Sequence, residues 1–268
     1  METLLAAAVL VVTGGTAGFA SGLFGIGGGF LMTPVLYWLF STGGIGDTEA
    51  TRLAFGTSLA VIIPTMVSGT IGHHRREAVD WKAAVPLAAG AVWGGLFGGT
   101  VASFLPGTTL RTIFAVLVIT MAVRMAWPGR SCPEGQKGRV SGPACAVLGF
   151  FIGTVSGLAG IGGGVLLVPL LVILFGFPVH SAIGTSSACL VFSSGAAVIA
   201  YIFHGLSATG LPPLSLGYVY LPAWAALVVT TVPLSRIGVR FSHTCTPGFL
   251  QGLLAVLMVA IGLSMLVG

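Results

Sequence analysis

The sequence predicts an all-α integral membrane protein built from two homologous, inverted repeats, each a glycine-loop helical hairpin plus three transmembrane helices. Three observations lead there. Of the 268 residues, 55% are hydrophobic and only 6% charged, and so few charges cannot cover a water-soluble globule. Aliphatic runs of about 20 residues, lacking the even alternation of barrel strands, point to spanning helices. Finally, residues 21–36 (SGLFGIGGGFLMTPVL) return as residues 156–171 (SGLAGIGGGVLLVPLL), identical at 11 of 16 positions and offset by 135.

Taken in order, the first half reads as five apolar pieces at 4–20, 30–40, 53–72, 83–104 and 110–127. The second half repeats the set at 143–156, 165–177, 181–203, 211–234 and 249–267. Between them runs a polar stretch, 128–141, with Arg130, Glu134, Lys137 and Arg139 among Gly and Pro, the composition of a loop between repeats. The expected domains are a first transmembrane repeat at 1–127, a cytoplasmic linker at 128–142 and a second repeat at 143–268. Met1-Glu2-Thr3 has no basic region, so the first piece does not read as a cleaved signal peptide.

The third to fifth pieces of each half are long enough to cross a bilayer, which takes about 20 residues at 1.5 Å each. The first two pieces are shorter. Gly25, Gly27, Gly28 and Gly29, with their copies Gly160, Gly162, Gly163 and Gly164, break the helix between them, since each Gly costs about 1 kcal/mol relative to Ala. The expectation is a hairpin of short or half-crossing helices bent at membrane depth, where protein or a water-filled cavity must satisfy the irregular backbone.

Loop charge sets the orientation. Arg75, Arg76 and Lys82 follow the third piece, and Arg124, Arg130, Lys137 and Arg139 surround the linker, so both read as cytoplasmic. In the second half the bias swaps: residues 204–211 carry no Lys or Arg, while Arg236 and Arg240 follow the fourth piece. An inverted repeat with both termini outside accounts for the swap. The formal net charge of +5 is scattered over these short loops and so does not point to nucleic acid. Cys132, Cys145, Cys189 and Cys245 have no metal-binding spacing and read as packing residues or incidental thiols.

The paired Gly-x-Gly-Gly-Gly runs, each followed by Gly-Thr-Ser (Gly56-Thr57-Ser58 and Gly184-Thr185-Ser186) at the head of the next helix, resemble the TauE/SafE sulfite exporter family. The segment HRREAVDW from His74 to Trp81 is also similar to that family's loop after the third piece. The likeness covers essentially the whole chain. It implies a multi-pass transporter of the inner (plasma) membrane that exports a sulfur-containing anion such as sulfite, sulfoacetate or another organosulfonate. One departure is visible: the second half lacks the charged residues usual after its third piece.

A glycine loop opening a helix suits an anion, because the first turn has unpaired N–H groups, the helix dipole is positive there and Gly admits close approach. Two such loops at mid-membrane would form an electropositive cradle. The alternative is that these Gly allow tight helix packing, as small residues do throughout membrane bundles. Duplication of the run beside Pro34 and Pro169 favours the cradle. Thr57, Ser58, Thr185 and Ser186 could donate to sulfonate oxygens, or bond back to their own helix. Arg52 aligns with His180 one turn before each Gly-Thr-Ser. Both could draw in the anion, with His180 coupling its movement to protons; alternatively, Arg52 anchors a helix end and pairs with Asp47 or Glu49.

Carboxylates are the informative absence. Glu2, Asp47, Glu49, Glu77, Asp80 and Glu134 all fall in predicted loops or helix ends, which argues against a sodium-coupled or metal-cation transporter with buried acidic ligands. Asp80 reads as a helix cap or the partner of a nearby base, and His73 to Arg76 with Trp81 chiefly as a positive-inside, interfacial cluster, with a cytoplasmic gathering site for anions as the lesser alternative. Nothing resembles a nucleophile with its base or a metal cluster, so an enzyme is not expected and no cofactor is implied. The expected partners are the small anion, protons and the lipid bilayer. The open alternatives are another organic anion, uptake rather than export, or a channel.

Overall fold

The computed structural model describes residues 2–126, 141–242, 244, 252, 256 and 259. Its helices are α1 (Glu2–Phe24), α2 (Gly29–Thr42), α3 (Asp47–His74), α4 (Trp81–Ala102), α5 (Gly107–Ala126), α6 (Gly142–Ala159), α7 (Gly164–Phe175), α8 (Val179–Gly205) and α9 (Leu221–Ser242). A two-residue hairpin, β1 (Ser215–Leu216) with β2 (Val219–Tyr220), precedes α9. Six helices, α1, α3, α4, α6, α8 and α9, are long and apolar enough to cross a membrane. The chain is therefore an all-α, multi-pass membrane protein. Apart from residues 252, 256 and 259, the expected piece at 249–267 lies outside the described residues, as do residues 128–140 of the linker.

Four expected boundaries move. Helices α1 and α6 run on to Phe24 and Ala159, through Ser21-Gly22 and Ser156-Gly157, so each hairpin joins a span-length helix to a short one of 14 or 12 residues. The short-helix expectation holds for α2 and α7 and fails for α1 and α6, because glycine inside a helix is tolerated where a neighbouring backbone packs on it. Helix α3 starts at Asp47, placing Gly56-Thr57-Ser58 well inside it, not at its head. Helix α9 starts at Leu221, not at 211, because Pro212 and Pro213 and the positive φ of Gly210, Leu214 and Gly217 turn the chain into the hairpin first.

Helices α3 and α8 form the centre, with 72% and 67% of their apolar windows buried, against 33–50% for the other four. They run antiparallel: the start of α8 lies beside the residues that follow α3, and the start of α3 beside the hairpin that follows α8. Around them α1 packs on α9 as α6 packs on α4. Gly14, Gly18 and Gly22 line one face of α1, and Gly149, Gly153 and Gly157, each 135 positions on, line α6. A Cβ on any of them would collide with backbone or side chain of the facing helix, Thr231 and Ser235 for Gly18 and Gly22, Leu87 and Ala91 for Gly149 and Gly153. With lipid as apolar as the side chains, this close backbone approach is what holds membrane helices together.

Candidate functional site

Each glycine loop is a four-residue reversal whose backbone only glycine adopts comfortably. Gly25, Gly27 and Gly28 have φ of +65°, +85° and +70°, and Gly160, Gly162 and Gly163 have +65°, +86° and +79°. Gly28 and Gly163 are the N-cap residues of α2 and α7, and no side chain caps either helix start. The two loops touch. A Cβ on Gly29 would lie 2.9 Å from the Ile161 carbonyl oxygen, and one on Gly164 would lie 2.8 Å from that of Gly25.

The Gly-Thr-Ser serines brace this junction as one matched pair, and the threonines tie α3 and α8 to the segments before α9 and α4 as another. Ser58 on α3 donates to the Gly160 carbonyl of the opposite loop at 3.1 Å, and Ser186 on α8 donates to the Gly25 carbonyl at 2.8 Å. Thr57 accepts from the Tyr220 N–H just before α9 at 2.9 Å, and Thr185 accepts from the Asp80 N–H just before α4 at 3.0 Å. All four side chains are fully buried. They leave their own helices to bond the other half of the protein, the alternative that local back-bonding did not include. Only Ser186 also bonds back, to Ile183. Accepting an N–H leaves the Thr57 and Thr185 hydroxyl protons for a further acceptor.

The two basic candidates lie apart from the loops and from each other. Arg52, half-buried in α3, donates to the Tyr218 hydroxyl at 3.2 Å and the Leu105 carbonyl at 3.0 Å. Asp47 does not pair with it. Arg111 of α5 takes Asp47 at 2.9 Å and also bonds Tyr37, because Arg111 reaches the exposed helix start from outside while Arg52 points toward the hairpin. His180 sits half-buried in the first turn of α8. Asp80 is an N-cap, accepting from the N–H of Lys82 and of Ala83, while His73 is buried and donates from Nε2 to the Gly22 carbonyl at 3.2 Å.

Four hydroxyls escaped the sequence reading. Thr33 donates to Gly160 at 3.3 Å and Ser193 to Gly162 at 3.4 Å, so the second loop receives more side-chain bonds than the first. Ser156 and Ser194, both buried, flank Gly163 and Gly162, and among the described residues neither oxygen has a hydrogen-bond partner. Ser156 stood in the duplicated run itself, as the copy of Ser21. Ser194 carried no signal, since its counterpart at the 128-residue offset of the Gly-Thr-Ser pair is Met66. A buried hydroxyl without a partner costs about 1–3 kcal/mol, so this pair marks the second loop as the more polar one.

Residues 10–265 match the family described as Sulfite exporter TauE/SafE. The chain belongs to the TauE/SafE family. It is 28% identical over 266 residues to a probable membrane transporter protein of Methanocaldococcus jannaschii, covering 99% of this chain and 97% of that one. It is 30% identical over 256 residues to a probable membrane transporter protein of Haemophilus influenzae, covering 95% and 96%. No solved structure matches it. The protein is thus a TauE/SafE membrane transporter rather than an enzyme, a multi-pass protein of the inner (plasma) membrane.

Proposed function

We propose that this TauE/SafE transporter exports a small sulfur-containing oxyanion (sulfite, sulfoacetate or another organosulfonate) by alternating access of two inverted repeats around the paired glycine loops. The observation that carries the reading is the meeting of the two loops between the central antiparallel helices, with hydroxyls from both halves gathered on them. Loop N–H groups and the free protons of Thr57 and Thr185 supply donors to anion oxygens without a fixed charge, so the ion is held and then released. The loop residues are buried in this conformation, which corresponds to an occluded state. An anion reaches them only when one half moves against the other. Arg52 and His180 lie outside this cluster and act, in this reading, on the anion's approach, with His180 or the substrate's own proton carrying any proton coupling.

Purified protein in proteoliposomes tests the proposal. Saturable flux of sulfite or sulfoacetate that responds to an imposed pH gradient is the expected result, with Thr57→Val and Thr185→Val each weakening apparent affinity by about 1–2 kcal/mol, roughly 5- to 30-fold. Carboxylates carried as well as sulfonates would remove the substrate class. Flux that never saturates and ignores the gradient would replace the carrier with a channel.

A further inference from the structure

Four arginines, two just after α3 and two on α9, line one cavity at the end of the bundle away from Arg52. Arg75 and Arg76 directly follow α3, and Arg236 and Arg240 stand one turn apart on α9. Together with Ser68, Ile71, Gly72 and Val239 they line a space of about 340 Å³, within the size range of small-ligand sites. Its floor is tight: a Cβ on Gly72 would lie 3.1 Å from Val239. Arg236 is oriented by its Nε–H, which donates to the Ser68 hydroxyl at 3.1 Å. That leaves its two terminal nitrogens for a ligand.

Among the described residues no carboxylate lines this cavity. The acids nearest in sequence, Glu77 and Asp80, line a separate cavity with Lys82. Four guanidinium groups around one small space repel one another, and guanidinium forks match tetrahedral and trigonal oxyanions in bidentate fashion. The repeat does not require the cluster either. At the 128-residue offset, Phe203, His204 and Ala196 stand in the places of Arg75, Arg76 and Ser68.

We infer that this cavity is a second anion site, binding a phosphate- or sulfonate-type oxyanion at the membrane face, roughly 15–21 Å along α3 from Ser58 at 1.5 Å per residue. The ligand is either an anionic phospholipid headgroup or a soluble oxyanion, because both present the same chemistry to the four arginines. The inference is independent of the central glycine loops.

Native mass spectrometry with phosphatidylglycerol, and calorimetry of delipidated detergent-solubilised protein with inorganic phosphate and with methanesulfonate, test it on the full chain. The variant pair Arg236→Gln with Arg240→Gln is expected to lose at least tenfold in affinity for the ligand that the unaltered protein binds. Arg236→Lys with Arg240→Lys, which keeps the charge and removes the fork, is expected to lose less. Retained lipid that the Gln pair sheds identifies a headgroup site; calorimetric binding that the Gln pair abolishes identifies a soluble-anion site. Binding of none of the three probes, or equal binding by the unaltered protein and both pairs, overturns the inference. Inorganic phosphate, which the glycine-loop reading does not include, reports on this site alone and separates its outcome from that reading.

Discussion

The two cross-loop serines are symmetric in sequence but not in consequence. Ser186 is the side chain that donates to the Gly25 carbonyl, at 2.8 Å, whereas the Gly160 carbonyl accepts from both Ser58 at 3.1 Å and Thr33 at 3.3 Å. Ser186→Ala therefore strands a fully buried carbonyl, at a cost of about 1–3 kcal/mol, while Ser58→Ala removes one of two donors and costs about 0.5–1.5 kcal/mol. Adding Thr33→Val to Ser58→Ala strands Gly160 in turn, so the double variant should lose more than its two single losses summed, by a coupling of about 0.5–1 kcal/mol. The loss in each variant is read by chemical or thermal unfolding in one detergent, with helix content by circular dichroism confirming a common starting state. Equal losses for Ser58→Ala and Ser186→Ala, or strict additivity in the double variant, would refute the bond assignment and with it the picture of each half latching the other's loop.

Two further outcomes follow from the glycines. Gly22→Ala and Gly157→Ala push a methyl into the facing backbone of Ser235 and Gly99 and should destabilise by about 1–3 kcal/mol or more. Gly195→Ala meets nothing within 4 Å and should be neutral or stabilising by up to about 1 kcal/mol; the comparison is read from monodisperse yield on size exclusion and from unfolding midpoints. Gly28→Val and Gly163→Val place a β-branched residue at φ +70° and +79°, so both should lower folded yield as well as flux; full yield with flux alone abolished would show that those positions are under ligand constraint only.

The repeat, the location of the loops and the identity of the hydroxyl pairs were legible because duplication leaves them side by side in the sequence. What sequence could not hold was tertiary. Ser21-Gly22 and Ser156-Gly157 look like loop residues until α9 and α4 lie against them, when the same small side chains become reasons for the helix to continue. Arg52 stands five residues after Asp47, close enough to suggest a pair, yet Arg111, 64 residues away in the chain, takes the carboxylate. Proline and positive-φ glycine did announce the turn at 210–217, but the length of the apolar run through it hid their signal.

The choice between anion cradle and packing surface, posed for the glycines as a group, divides along the chain instead. Gly14, Gly18 and Gly22, like Gly149, Gly153 and Gly157, have helical backbone and lie under the facing helix, which is all that packing demands. Gly25, Gly27 and Gly28, like Gly160, Gly162 and Gly163, have left-handed backbone, which packing alone does not demand. A left-handed turn at the start of a helix is expensive at membrane depth, since its N–H groups have no water to meet. The hydroxyls bonded to the loops, those of Thr33, Ser58, Ser186 and Ser193, satisfy carbonyls, not those N–H groups. Gly25 and Gly160 give their N–H groups to the Ser21 and Ser156 carbonyls; in the proposed reading the donors beyond them are what an oxyanion satisfies. On the proposed reading transport rests on the second class of glycine, while the first holds α1 against α9 and α6 against α4 so that those loops meet.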